Sequence, residues 1–430
     1  MAAGPSPAPT DVHARRMMPR LARIGWSNLW RNPRRTAITV AGLALGIIAL
    51  AACISLMVGM NHDLIEQGTS LLLGQVEIHA RGYRPDRSIF DTIPGNGREM
   101  AARLRQQPGV IGAAPRVIGY GLISAGEHSA GADLLGLVPA LEAQVSTLNR
   151  HVVAGTYLRG APGEVVIGER LGRTLGVGPG DQVVLLTQAA DGSLGNDLYR
   201  VVGLFKTGLD LVDGGLVVMS LDDLQKLLAL APARIHEIAI RGADPAAAPA
   251  LAQRLARVIG QPGVEVAAWP VLAPEIAGYV AMSNGWLWIL YLIVLVLAAI
   301  AVLNTMLMAV FERLREFGVL TAIGMRPLQI VGLVLGEVVS LAVVSVAAAV
   351  AVGAPVIRWL VSSGIDLSRF STGFTMSGVA FSPVLRGAWA IDKFALSAAL
   401  LVGCALLAGL YPAVRAARVN PATLTRGELR

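Results

Sequence analysis

Four stretches of this 430-residue chain are too apolar to rest in water. Ile38 to Met60, Leu287 to Phe311 and Leu328 to Gly353 each reach the roughly 20 residues that cross a ~30 Å hydrocarbon core at ~1.5 Å per residue. Phe394 to Tyr411 is shorter and still sufficient. Inside a bilayer every backbone N–H and C=O must be satisfied internally, so such runs have to be helices. The composition agrees: 54% of the residues are hydrophobic and 15% charged, where a soluble domain carries about 25% charge.

Charge orients these spans. The formal net charge is +7, which in a soluble chain would raise the question of nucleic acid. Here the arginines crowd the membrane edges, and no nucleic-acid partner is expected. Arg15, Arg16, Arg20, Arg23, Arg31, Arg34 and Arg35 precede the first span, Arg313, Arg315 and Arg326 separate the second from the third, and Arg415, Arg418, Arg426 and Arg430 follow the fourth. Basic flanks favour the cytoplasmic side, so all three places read as cytoplasmic. Four spans then put both termini inside and residues 61–286 outside. Arg358, Arg369 and Arg386 make the loop after the third span less decisive.

The two cysteines, Cys53 and Cys404, lie in apolar runs and read as buried small hydrophobes, not as a disulfide framework. Leu50-Ala51-Ala52-Cys53 resembles a lipoprotein processing site, but the apolar run continues past it and the segment before it is too long for a signal peptide.

Along the chain, residues 1–19 are Ala/Pro-rich and read as a disordered cytoplasmic start. Residues 20–37 read as an amphipathic interfacial helix with Trp26 and Trp30 at headgroup depth, broken at Asn32-Pro33. The 61–286 segment alternates strand and helix signals: LLLGQVEIHA a strand, REMAARLRQQPGV a helix, VIGAAPRVIGYGLIS and ADLLGLVP strands. EVVIGERLGRTLGVGPGDQVVLL is strand, short helix, turn and strand. YRVVGLFKTG, GGLVVMS, RIHEIAIRG and VEVAAW are further strands; LDDLQKLLAL, capped by Ser220 or Asp222, and DPAAAPALAQRLARVIG are helices. This predicts a mixed α+β domain, of one or two subdomains. Residues 354–393 form a second, shorter outside loop with little pattern.

Several chemistries are missing. There is no G-x-x-x-x-G-K-[ST]: Lys206-Thr207 follows Phe205 where a phosphate loop needs Gly. There is no H-E-x-x-H, and His236-Glu237 is an isolated pair in a strand; the six histidines lack metal-ligand spacing. No G-x-S-x-G occurs. The chain is therefore expected to hold no metal or cofactor and not to be an enzyme alone. Glu337 is an intramembrane acid, functional by default; about one helical stretch past Arg326, it also reads as a paired carboxylate in the inner leaflet. Asn304 could hydrogen-bond a neighbouring helix. Gly42 with Gly46, and Gly332 with Gly336, are spaced to share a helix face, for packing within the chain or for dimerisation.

The segment FERLREFGVLTAIGM, from Phe311, sits between the second and third spans. On a wheel of 3.6 residues per turn, Phe311, Leu314, Gly318 and Ala322 share one face, with Phe317 and Thr321 at its edge. The charges Glu312, Arg313, Arg315 and Glu316 fall outside it, and Val319, Leu320 and Ile323 fall among the charges. Gly324 reads as the stop. Both an inner-surface helix and a knob docked in a groove of a soluble partner fit this pattern.

E-R-x-R-E-F-G-x-L-x-A-I-G between two spans resembles the coupling segment of MacB/FtsX/LolE-type ABC transporter permeases. NLWRNPRRTAITVAGLALGIIAL resembles that family's lead into the first span, and YPAVRAARVNPATLTRGE its closing tail. LLGLVPALEAQVSTLNRHVVAG with EVVIGERLGRTLGVGPGDQVVLL resembles the periplasmic domain of the LolC/LolE lipoprotein-releasing branch. The resemblance implies four transmembrane helices with a large extracytoplasmic α+β domain between the first and second (the type VII ABC permease architecture) in a bacterial inner membrane. It implies that two permease chains pair, as two copies or as this chain with a homologue. Each would dock a separate cytoplasmic ATPase that uses ATP and Mg, through Phe311, Glu312, Arg313, Arg315, Glu316, Phe317, Gly318 and Gly324. In that branch a lipoprotein enters along the first span, here Gly42, Gly46, Ile47, Leu50 and Ile54, unless those residues serve helix packing. It is then handed to a soluble periplasmic carrier, for which no mark appears in this sequence. Extraction of lipid from the membrane is the first functional expectation; control of an outside enzyme or sensor by the same motion, without transport, is the alternative.

Overall fold

The computed structural model describes residues 31–366, 374–376, 379–381 and 384–418; the expected interfacial helix lies largely outside these. In chain order the longer helices are α1 (Pro33–Ser70), α2 (Gly97–Leu104), α3 (Glu169–Leu175), α4 (Asp210–Gly215), α5 (Leu221–Leu227), α6 (Ala248–Ile259), α7 (Pro274–Glu312), α8 (Leu314–Ala322), α9 (Pro327–Ser362) and α10 (Ile391–Ala417). The chain forms two units. One holds the described residues up to Met60, then Met282–Asp366 and those from Val384 onward, and the other centres on Asn61–Ala281.

In the first unit, α1, α7, α9 and α10 are the helices long and apolar enough to cross a membrane. All four contribute to one buried cluster that includes Leu43, Val302, Leu341 and Leu401. Lipid is as apolar as leucine, so such contacts gain from close packing rather than from leaving water. Glycine supplies it at several places, Gly59 and Gly409 among them. A Cβ on Gly59 would come within 2.0 Å of the Arg386 carbonyl oxygen, and one on Gly409 within 2.6 Å of Val338 Cγ2. Gly42 has nothing within 4 Å of such an atom, and Gly46 meets only Val294 at 3.8 Å.

The helices outrun the apolar runs. Pro33 sits in the first turn of α1, where its missing N–H costs nothing, and the Thr36 N–H bonds the Asn32 carbonyl at 3.1 Å. The break expected at Asn32-Pro33 is thus the start of the spanning helix. Pro355 lies inside α9 and Pro412 inside α10, so the stops read at Gly353 and Tyr411 are passed; membrane helices tolerate proline where neighbours re-satisfy the freed backbone. The loop expected from residue 354 accordingly begins after Ser362, and its described part holds the strand pairs β11 (Ile365–Asp366) with β14 (Val384–Leu385) and β12 (Phe374–Met376) with β13 (Val379–Phe381). Cys53, read as buried, is exposed, the outward side of a span facing hydrocarbon instead of the chain. Cys404 is half-buried against the Leu295 carbonyl at 3.3 Å.

The second unit carries β1 (Val76–Ala80), β2 (Val110–Ala125), β3 (His128–Leu137), β4 (Val152–Gly155), β5 (Glu164–Gly168), β6 (Gln182–Gln188), β7 (Leu194–Phe205), β8 (Leu216–Ser220), β9 (Glu237–Gly242) and β10 (Val264–Ala268). Six of these close on themselves: β2 pairs β3, β3 pairs β8, β8 pairs β5, β5 pairs β7, β7 pairs β6, and β6 returns to β2. β10, β1 and β9 continue from β2 as an open antiparallel sheet. The long β2 belongs to both: Val110–Arg116 lies beside β9, while Gly121–Ser124 lies beside β6. One strand therefore joins two subdomains in one α+β domain. Ser220 caps α5, its Oγ accepting from the Asp223 N–H at 3.1 Å. The strand read from Leu71 begins only at Val76, because Leu71–Gly74 turn and Gly74 adopts φ 77°.

Candidate coupling site

The segment between the second and third membrane helices is two helices, not one. α7 ends at Glu312, Arg313 breaks the ladder with φ −113°, and α8 restarts at Leu314. Gly324, with φ +101°, then turns the chain in a conformation that a side chain resists. Arg326 precedes α9, its N–H bonding Gln329 Oε1 at 2.8 Å.

The break rotates the faces relative to an unbroken wheel. The inward stripe of α8 is Leu314, Phe317, Gly318 and Thr321, at i, i+3, i+4 and i+7, with Phe317 and Gly318 buried and the other two half-buried. Phe317 is 1% exposed among Val310, Ile330, Leu333, Val334, Ala413 and Ala416. Phe311 stays with α7, 48% exposed, with the Arg415 guanidinium 5.1 Å over its ring. The outward stripe is Arg315, Val319, Ala322 and Ile323, with Val319 59% and Ile323 79% exposed. So Val319 and Ile323, two of the three apolar residues that the wheel scattered among the charges, face out, while Leu320 packs against the cluster around Phe317. Phe317 and Gly318 instead pack inside the chain, where they cannot be a knob offered to a partner.

Ion pairs clasp α8 to the membrane helices. Arg31 bonds Glu316 through both nitrogens, Nη2–Oε1 at 2.8 Å and Nη1–Oε2 at 3.1 Å. Arg313 bonds the same carboxylate through Nε at 2.9 Å and reaches Glu337 Oε2 with Nη1 at 3.2 Å. Arg35 meets Glu312 at 3.0 Å. These residues line a polar crevice of about 190 Å³. The bonds from Arg31 and then Arg313 hold the Glu316 carboxyl down to about 2. Its side chain is 42% exposed, so solvent screens each pair and no more than about 1 kcal/mol attaches to any of them. Their use is geometric: three helices and α8 share one set of charges. Glu337, 9% exposed, is the paired carboxylate.

Arg31 and Arg35 escaped the sequence reading, which counted them only as a basic flank. The signal was present: Arg31 and Arg35 are four apart, as are Glu312 and Glu316, so two helical i, i+4 pairs of opposite charge match.

The first-span candidates divide. Leu50 and Ile54 are buried, 3% and 0% exposed, in a cluster with Leu287, Tyr291 and Ala390, and Ile47 packs against the four-helix cluster. Gly42 is exposed. Ile47, Leu50 and Ile54 pack against the chain's own helices. Asn304 is exposed and has no hydrogen-bond partner among the described residues; its neighbour Thr305 makes the interhelical contact, 3.0 Å from Thr39.

The MacB-like periplasmic core domain model matches residues 36–258, and the FtsX-like permease C-terminal model matches residues 288–421. The chain is an ABC transporter permease of the LolC/MacB family. This LolC/MacB-family permease is 26% identical over 403 residues to the lipoprotein-releasing system transmembrane protein LolC of Neisseria meningitidis, covering 91% of this chain and 94% of that one. Against LolC of Xylella fastidiosa the identity is 25% over 399 residues, covering 91% and 93%. Against the macrolide export ATP-binding/permease protein MacB of Nitrobacter winogradskyi it is 25% over 427 residues, or 94% of this chain but 60% of that protein. The family places the permease in the inner membrane, with a periplasmic domain.

Proposed function

We propose that this permease couples ATP hydrolysis by a separate cytoplasmic ATPase to extraction of a lipoprotein or lipid-like substrate from the membrane. The observation that carries this is the outward stripe of α8, Arg315–Val319–Ile323, held at its start by Glu316 pairing with Arg31, just before α1, and by Arg313, at the head of α8, pairing with Glu337 of α9. A short helix whose apolar residues face water beside a cation suits a groove on a soluble partner. In this reading both termini are cytoplasmic, each of two paired permease chains receives one ATPase, and a periplasmic carrier takes the cargo. Similarity to LolC along most of the chain supports the lipoprotein. So does the energetics: lifting an acyl chain out of a bilayer costs about 0.8 kcal/mol per CH₂, and the chain has no phosphate-binding loop of its own. The test is mild-detergent purification of the tagged chain from its native membrane, with mass spectrometry of what accompanies it. An ABC ATPase with bound lipoprotein is the expected result; no ATPase overturns the coupling role.

One observation favours a second reading, in which the motion controls an outside enzyme without transport. Leu50 and Ile54 turn into the permease's own helices rather than toward a cargo path. An ATPase accompanied by a periplasmic enzyme and no lipid cargo would select it.

A further inference from the structure

In the periplasmic domain, the face of β2 that carries Arg116, Ile118 and Tyr120 is one wall of a cavity of about 200 Å³. Every residue around it belongs to the unit centred on Asn61–Ala281. Strand alternation puts the three on one side. Glu237 of β9 lies opposite Arg116, and Leu135 and Asp133 of β3 lie opposite Ile118 and Tyr120. Leu72 and Leu73, after α1, and Leu211 and Val212, of α4, supply the other walls. Exposure rises along the strand, from 2% at Arg116 to 43% at Tyr120, and Leu211 is 90% exposed. The cavity is therefore a cleft with a charged floor, apolar sides and a mouth at Tyr120, Asp133 and Leu211.

The floor is neutral as a whole, with Arg84, Arg87 and Arg116 balancing Glu77, Glu142 and Glu237, but it is not fully paired. Arg116 is spent. It bonds both Glu142 oxygens, at 2.5 and 3.1 Å, Glu237 Oε1 at 3.2 Å, and the Leu72 carbonyl. Glu77 is held at both oxygens by Arg84, at 2.6 and 3.3 Å. Two groups on the cleft have capacity left. Glu237 is 4% exposed, yet its Oε2 accepts no hydrogen bond from a described residue. Arg87 makes no direct ion pair among the described residues; its guanidinium lies by the Tyr120 hydroxyl. Its backbone is held at φ +45°, a conformation that persists only where the surroundings impose it. Burial first, and then Glu77, raise the proton affinity of Glu237, as befits a carboxylate short of positive charge.

Water would serve both charges. It would also wet Ile118, Leu135 and Val212, whereas pockets built for ligands pair apolar walls with a few placed polar groups. The lining as a whole asks for an apolar chain on a head of both signs. An ammonium alone would meet Glu237 and repel Arg87; an acid alone would do the reverse.

We propose that this cleft binds a zwitterion with an apolar chain: its ammonium on Glu237, its acid group on Arg87, and its chain along Ile118, Leu135 and Leu211. Such a molecule is either a lipid with an ethanolamine phosphate head or a free apolar amino acid. Binding belongs to the periplasmic domain itself and needs no ATPase, so it stands or falls apart from the coupling reading.

The test is native mass spectrometry of the full chain in detergent, titrated with lysophosphatidylethanolamine, lysophosphatidylglycerol, dodecylamine and leucine. The second probe carries only the acid and the third only the ammonium. Arg87→Gln, Glu237→Gln and Leu211→Glu are compared with the native chain, and unfolding midpoints are recorded on the same samples. The native chain is expected to take up one saturable molecule of lysophosphatidylethanolamine. Each variant, and each single-charge probe, should bind about tenfold more weakly, as loss of one charge-assisted bond or of the apolar wall implies. Leu211→Glu, at an exposed position, should keep its midpoint, so its weaker binding reads the cleft and not the fold. The same dependence with leucine in place of the lipid upholds the site and makes the amino acid its ligand. Saturable binding of neither, binding unchanged in all three variants, or equal affinity for a single-charge probe overturns the proposal.

Discussion

The two faces of α8 make opposite predictions, and one pair of variants separates them. If the outward stripe is the docking surface, Val319→Ser with Ile323→Ser removes the part that a partner buries. Full burial of a Val or Ile side chain is worth about 1.5–3 kcal/mol. Scaled by the 59% and 79% left uncovered in the permease, the two come to roughly 3 kcal/mol, or about a hundredfold in Kd. Neither residue packs tightly inside the chain, so its own stability should move by no more than about 0.5 kcal/mol. Phe317→Ala should do the reverse. It empties a site with 1% exposure, costing about 3–5 kcal/mol of packing, and it weakens the ATPase only through loss of folded permease. The assay is titration of purified ATPase against detergent-solubilised permease, with thermal unfolding recorded on the same samples. Unchanged Kd in the double serine variant, or loss of binding in Phe317→Ala with an unchanged midpoint, would refute the assignment of faces.

Three further outcomes follow from the same structure. Arg31→Glu should loosen α8, and adding Glu316→Arg should recover only the Arg31 part, with a coupling of about 0.5–1 kcal/mol in a double-mutant cycle on ATPase association, since the bond from Arg313 stays lost. Gly59→Val should lower the unfolding midpoint by an overpacking cost of about 1–3 kcal/mol, since the neighbour at 2.0 Å is backbone, whereas Gly42→Val should leave it unchanged. His236 accepts the Ile118 N–H at Nδ1, 2.9 Å, and donates from Nε2 to the Ile89 carbonyl, 3.0 Å, so it is neutral as placed; burial lowers its proton affinity. The unfolded chain therefore takes a proton that the folded one refuses. The native stability advantage over His236→Gln should shrink as pH falls below the ordinary 6.5, by at most about 1.4 kcal/mol per pH unit; an advantage that grows on acidification contradicts the tautomer.

The long apolar runs made the membrane helices legible, because nothing else can satisfy their backbone in lipid. Their ends were not, because Pro355 and Pro412 stop a helix in water but not in a packed bundle. Most strands of the domain announced themselves by Val/Ile-rich runs between Gly and Pro. β4, only Val-Val-Ala-Gly, had too little pattern to be seen. The return of β6 to β2 could not be read at all, since register between distant strands depends on tertiary packing. At the coupling site the location was legible from charge between two spans, but the break at Arg313 turned the faces. Arg31 and Arg35 find their carboxylates some 280 residues away, a pairing that only the bundle creates.

The ring of six strands has a consequence for life in the periplasm. A sheet usually ends in strands whose free N–H and C=O groups invite any passing chain to add itself. Here the closure through β6 leaves the ten-stranded sheet with two terminal strands, β10 and the four-residue β4. In the periplasm, where the family places this domain, any extended chain could pair with such groups. The short β4 and the single strand β10 leave few places for one to add.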